Sequence, residues 1–87
     1  MQVWRAHEQK SETTYWFFKL KNSCWWRFDQ QNRSWQEIKT DQSVSGSAIS
    51  AIKPHHLSMV TNRELDERWN RMFSKTNPPF AKSDIAP

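Results

Sequence analysis

Apolar and polar residues alternate along the first third of the chain, and the period changes only near its C-terminal end. Val3-Trp4-Arg5-Ala6-His7-Glu8 alternates with the period of two that marks a strand with unlike faces. Residues 9–14 are polar and read as a turn. The run Thr14-Tyr15-Trp16-Phe17-Phe18-Lys19-Leu20-Lys21 is dense in aromatic side chains, which fit a pleated surface. Lys21-Asn22-Ser23 reads as a tight turn, because Asn tolerates a left-handed backbone. Residues 24–29 make the next strand, 30–33 turn again, and 34–39 return. The pattern predicts an antiparallel meander of three or four strands.

Residues 40–47 are a polar loop holding the only glycine, Gly46. Ala48-Ile49-Ser50-Ala51-Ile52 fits a helical turn or a strand, ended by Pro54, and 55–60 suits neither pattern alone. Then the period lengthens. Thr61-Asn62-Arg63-Glu64 has the form of a capping box, in which a Thr hydroxyl accepts from the Glu amide and the carboxylate reaches back. Val60 and Leu65 occupy the two positions of a hydrophobic staple. Leu65, Trp69, Met72 and Phe73 recur at i, i+4, i+7 and i+8, which places them on one helical face. Glu64 with Arg68, and Glu67 with Arg71, are favourable i, i+4 pairs. The spacing predicts a helix over 62–75, stopped by Pro78-Pro79. Fold class follows as α+β: an antiparallel three- to four-stranded meander with a C-terminal amphipathic helix packed on one face. Residues 1–77 are expected as a single compact domain and 78–87 as a flexible tail.

Strand parity divides the aromatic residues between two faces. Trp16, Phe18 and Leu20 share one side, with Cys24, Trp26 and Phe28 on the neighbouring strand. This set is apolar and is expected to meet the helix, with Trp4 and Ala6 joining it. The other side mixes Tyr15, Phe17 and Trp25 with Lys19, Lys21 and Arg27, and one helix cannot cover both. Trp35 and Ile38 have opposite parity, so the last strand either bulges or splits its apolar residues. Trp35, with Lys39 beside it, is expected to extend the open face.

Composition sharpens that picture. Six of 87 residues are Trp, and four of them lie between Trp16 and Trp35. So much aromatic surface exceeds what a small core hides. Lys and Arg number 13 against 9 acidic residues, for a net charge of +4 and a pI near 9.6, which favours an anionic partner. A single cysteine, Cys24, rules out an internal disulfide and suits a reducing compartment. No apolar run approaches the ~18–20 residues of a membrane span, and no apolar leader opens the chain, so a cytoplasmic location without membrane association is expected.

Motifs exclude more than they assign. Trp25-Trp26-Arg27-Phe28-Asp29-Gln30-Gln31-Asn32-Arg33-Ser34-Trp35 resembles the second hairpin of a WW domain over these eleven residues. Its turn is shorter, and Gln36 stands where that family leads to its proline, so recognition of proline-rich peptides does not carry over. His55-His56, His7 and Cys24 lack metal-ligand spacing, and no metal or cofactor is expected. One glycine leaves no phosphate-cradling loop, and no nucleophile–base constellation exists, so no residue is assigned as catalytic. The leading expectation is a non-enzymatic binding module that docks on a protein through Tyr15, Phe17, Lys19, Lys21, Trp25, Arg27, Trp35 and Lys39. Single-stranded nucleic acid on the same face is the alternative, because bases stack on rings beside cations. A small metal-independent ribonuclease, drawing on Arg5, His7, Glu8, Arg27 and His55, comes third. A homodimer through the open sheet face is compatible with the first expectation.

Overall fold

In the computed structural model, which describes residues 1–38 and 56–87 apart from the side chains of 56 and 57, five strands form one antiparallel sheet. They are β1 (Val3–Glu8), β2 (Thr13–Lys19), β3 (Trp25–Asp29), β4 (Ser34–Ile38) and β5 (His56–Met59). Their order across the sheet is β4-β3-β2-β1-β5. Helix α1 (Asn62–Arg68) continues through a π-helical turn (Trp69–Phe73) and a 3-10 turn (Ser74–Thr76). The fold is therefore the α+β meander with a C-terminal helix, extended by a fifth strand. That strand is only four residues of mixed polarity, too short for periodicity to reveal.

Two hairpin loops and the β2–β3 turn each place a non-glycine residue at positive φ: Glu12 at 51°, Ser23 at 71° and Arg33 at 52°. Polar side chains support these turns. Asp29 Oδ1 accepts from the backbone N–H of Gln31 and Asn32, and Asn22 Oδ1 accepts from that of Cys24.

The helix begins where its sequence predicts, but Glu64 and Glu67 pair with Arg5 and Arg63 rather than with Arg68 and Arg71. Thr61 Oγ1 accepts from the Glu64 amide at 3.1 Å, and Val60 and Leu65 are both buried in the core. The Glu64 carboxylate does not close the capping box. It takes both contacts from Arg5 Nη1, at 2.9 and 3.1 Å. Arg63 pairs with Glu67, and Asp66 with Lys82. In the π turn the Ser74 N–H donates to the Trp69 carbonyl five residues back, and the Ser74 hydroxyl serves the Asn70 carbonyl at 3.2 Å. Asn77, left-handed at φ 53°, ends the helical run before Pro78-Pro79.

The core between helix and sheet is aromatic. Phe73 sits edge-on to Trp16, Phe18 and Phe28, with ring centroids 5.1–5.2 Å apart. Val3, Leu20, Val60, Leu65, Phe80 and Ile85 complete the buried cluster, and Trp26, Trp35, Trp69 and Met72 border it.

Three expectations about this core need correction. Residues 78–87 are not a flexible tail. Phe80, Ile85 and Ala86 are buried, and the segment docks beside β2 through Lys21 N–H to Asp84 O, Ala86 N–H to Lys19 O and Gln2 N–H to Ala86 O, each 2.8 Å. A proline pair stops the helix, but it does not prevent the chain from returning to the sheet. Trp4 and Ala6 do not join the helix side, where β1 instead presents Val3 and Arg5. Arg5 is accommodated there because Glu64 pairs with it and the Trp16 ring lies 5.2 Å beneath its guanidinium. Trp35 also faces the helix. Its indole N–H donates to Thr76 Oγ1 at 2.7 Å, and that hydroxyl donates to the Phe73 carbonyl at 2.6 Å. β4 carries no bulge, so its apolar residues are split between faces.

Among the described residues no helix is long and apolar enough to cross a membrane.

Candidate functional site

Directly opposed residues of antiparallel strands point to the same side, so the register defines the face away from the helix. One row across the sheet reads Met59, Trp4, Phe17, Arg27, Gln36. A second reads Ala6, Tyr15, Asp29, Ser34, and a third reads Lys19, Trp25, Ile38. Five residues expected together (Tyr15, Phe17, Lys19, Trp25 and Arg27) do share this face. Trp35 is on the other one. Lys21 belongs to the turn after β2 and lines a cleft of about 350 Å3 with Trp26, Glu37, Phe80 and Asp84. Lys39 lies outside the described residues.

The rings on this face are largely covered. Phe17 is 3% exposed and Trp25 only 2%, which corrects the expectation that both present themselves to a ligand. Trp4 stacks on Trp25 with centroids 5.4 Å apart and planes 28° from parallel. The Lys19 amine stands 5.9 Å from the Trp25 ring centre, and the Arg27 guanidinium 4.9 Å from that of Tyr15. Arg27 also donates to Gln36 Oε1. Each of these two cations therefore lies against a ring of its own face, and Trp4 against Trp25.

What projects is different. Met59 is 62% exposed, the one exposed large apolar side chain among the described residues. Trp4, Tyr15, Lys19, Arg27 and Ile38 are half-buried around the covered rings. Lys19 and Arg27 make no ion pair among the described residues, whereas Asp29 is engaged by the turn that follows it. Sequence reasoning missed Met59 because β5 was not recognisable. It assigned Trp4 to the helix side, because alternation alone does not say which parity of β1 faces the helix.

Trp25 therefore reports on stability. Trp25→Ala is expected to cost ~3–5 kcal/mol, as a large buried deletion does. Trp25→Phe is expected to stay within about 1 kcal/mol of wild type, because the indole N–H it removes is buried and has no acceptor among the described residues. Urea unfolding followed by circular dichroism measures both. Equal losses for the two variants would contradict this placement.

Among the described residues no group of three or more His, Cys, Asp or Glu is positioned to hold a metal ion. Comparison with known protein families, curated proteins and solved structures gave no match to this chain.

Proposed function

We propose that this chain is a non-enzymatic binding module that docks a protein partner on the sheet face opposite the helix. Met59 carries the reading: a flexible apolar side chain exposed at the end of a row whose other members are Trp4, Phe17 and Arg27. Interfaces favour an apolar anchor, aromatic neighbours and Arg, with charge at the rim. Lys19 and Arg27 supply that rim, so the complementary surface is apolar at its centre and acidic around it. Single-stranded nucleic acid fits less well. Base stacking needs bare ring faces, and Tyr15 and Trp25 already carry Arg27, Lys19 and Trp4 against theirs.

The test compares immobilised wild-type chain with Met59→Asp and with Lys19→Glu/Arg27→Glu as baits. Met59→Asp is expected to change stability by less than about 0.5 kcal/mol, as an exposed substitution does, while losing a protein that wild type retains. If every protein held by wild type is also held by Met59→Asp, the docking face is elsewhere. Tryptophan fluorescence titrated with a mixed oligonucleotide at two salt concentrations is expected to stay flat. Quenching that disappears at high salt would favour nucleic acid instead.

A further inference from the structure

The ladder hydrogen bonds determine which backbone groups of β4 face away from the sheet. The Leu20 N–H donates to the Cys24 carbonyl at 2.8 Å, and the Gln30 N–H to the Thr14 carbonyl at 3.0 Å. Both fit the register in which Trp16 opposes Phe28 and Phe18 opposes Trp26. The even-numbered residues of β3 therefore bond to β2. Antiparallel alternation turns the backbone of Trp25, Arg27 and Asp29 toward β4, where they oppose Ile38, Gln36 and Ser34. The N–H and C=O groups of Trp35 and Glu37 consequently point outward, and no described strand pairs with them.

Among the described residues, three of the usual guards are missing from this edge. Ser34–Ile38 contains no Pro, no Lys and no bulge, and its pairing with β3 is unbroken. Ser34, Gln36 and Glu37 are exposed. Arg33, immediately before the strand, and Glu37, within it, make no ion pair among the described residues.

We propose that two copies of this chain pair antiparallel through β4, about a two-fold axis at Trp35. In that register the outward backbone groups of Trp35 meet their own counterparts, Ser34 opposes Gln36, and Arg33, in the turn just before the strand, comes beside Glu37 of the second copy. The symmetry repeats the last contact, giving two Arg–Glu pairs per dimer. Sliding by two residues in either direction loses both pairs, so charge selects one register among those the backbone permits. The axis is normal to the sheet, so both copies turn the face bearing Met59 to the same side. The product is a continuous sheet with two docking faces side by side. The pairing itself does not depend on what those faces bind.

A five-residue edge buries little area, so association is weak, with a dissociation constant on the order of 100 µM. Sedimentation velocity of the full chain from about 10 µM to about 1 mM, spanning that constant, reads it. Glu37→Arg and Arg33→Glu are each expected to weaken dimerisation about tenfold, because two attractions become two repulsions. Combining them as Arg33→Glu/Glu37→Arg is expected to restore it to within about threefold by exchanging the charges. Circular dichroism identical to wild type shows that each variant is folded. A monomer throughout the concentration range, a dimer indifferent to both single reversals, or a folded double variant that stays monomeric would each overturn the proposal. So would a dimer lost on Met59→Asp but not on Glu37→Arg, which would place the contact on the sheet face.

Discussion

Deleting residues 80–87 is expected to unfold most of the protein. The segment contributes Phe80 and Ile85 to the core, each worth ~1.5–3 kcal/mol of burial. Its three backbone hydrogen bonds to Gln2, Lys19 and Lys21 tie the N-terminus and the end of β2 together. Without it, Phe18, Trp35 and Trp69 lose the ring that Phe80 places 5.2–6.0 Å from each. A domain of 87 residues has about 4–13 kcal/mol of total stability. The two side chains and three backbone hydrogen bonds together amount to roughly 5–10 kcal/mol, comparable to that total. Near-ultraviolet circular dichroism should lose its tryptophan signal, whereas deleting Pro87 alone should change nothing. A chain ending at Pro79 that keeps the wild-type near-ultraviolet spectrum and melts within about 2 °C of wild type would show the segment to be an appendage.

Phe73→Ala is the second large effect. Phe73 is 0% exposed and is the ring on which the helix and three strands converge. Its replacement removes edge contacts with Trp16, Phe18 and Phe28 and leaves a cavity whose rigid aromatic walls cannot collapse to fill it. The expected cost is ~3–5 kcal/mol, or at least about 12 °C in melting temperature for a domain this small. Phe73→Leu, which retains most of the volume, is expected to lose less than half as much. Met72→Ala, next door but only half-buried, should be milder still. Equal losses at positions 72 and 73 would mean that the π turn does not present Phe73 to the sheet as described.

Much of the candidate site was legible in the chain because β2 and β3 lie inside the sheet with strictly alternating partners. Period two placed Tyr15, Phe17, Lys19, Trp25 and Arg27 together without knowledge of any tertiary contact. Exposure was not legible. Whether a ring on a sheet face meets water depends on its cross-strand neighbours, and Trp4 could not be placed over Trp25 until β1 had been given its parity. That parity puts Arg5 on the helix side, where Glu64, 59 residues away, pairs with it. Trp35 is a similar case. Its own strand offers two incompatible apolar positions, and the Thr76 hydroxyl decides between them.

The six tryptophans show where local and tertiary causes divide. Alternation in the chain determined the meander, the Thr61 cap and the opposite orientations of Trp16 and Trp25, because backbone geometry at period two or 3.6 is a local property. Assignment of Trp4 to the second face, Trp35 to the helix and residues 80–87 to the core came only from the assembled structure. Each of these depends on a partner distant in sequence: Trp25 for Trp4, Thr76 for Trp35, and Leu20 with Lys19 for the C-terminal segment. Local patterning offers each residue a choice of faces. A hydrogen bond, a carboxylate or a facing ring, supplied by another part of the chain, decides which one is occupied.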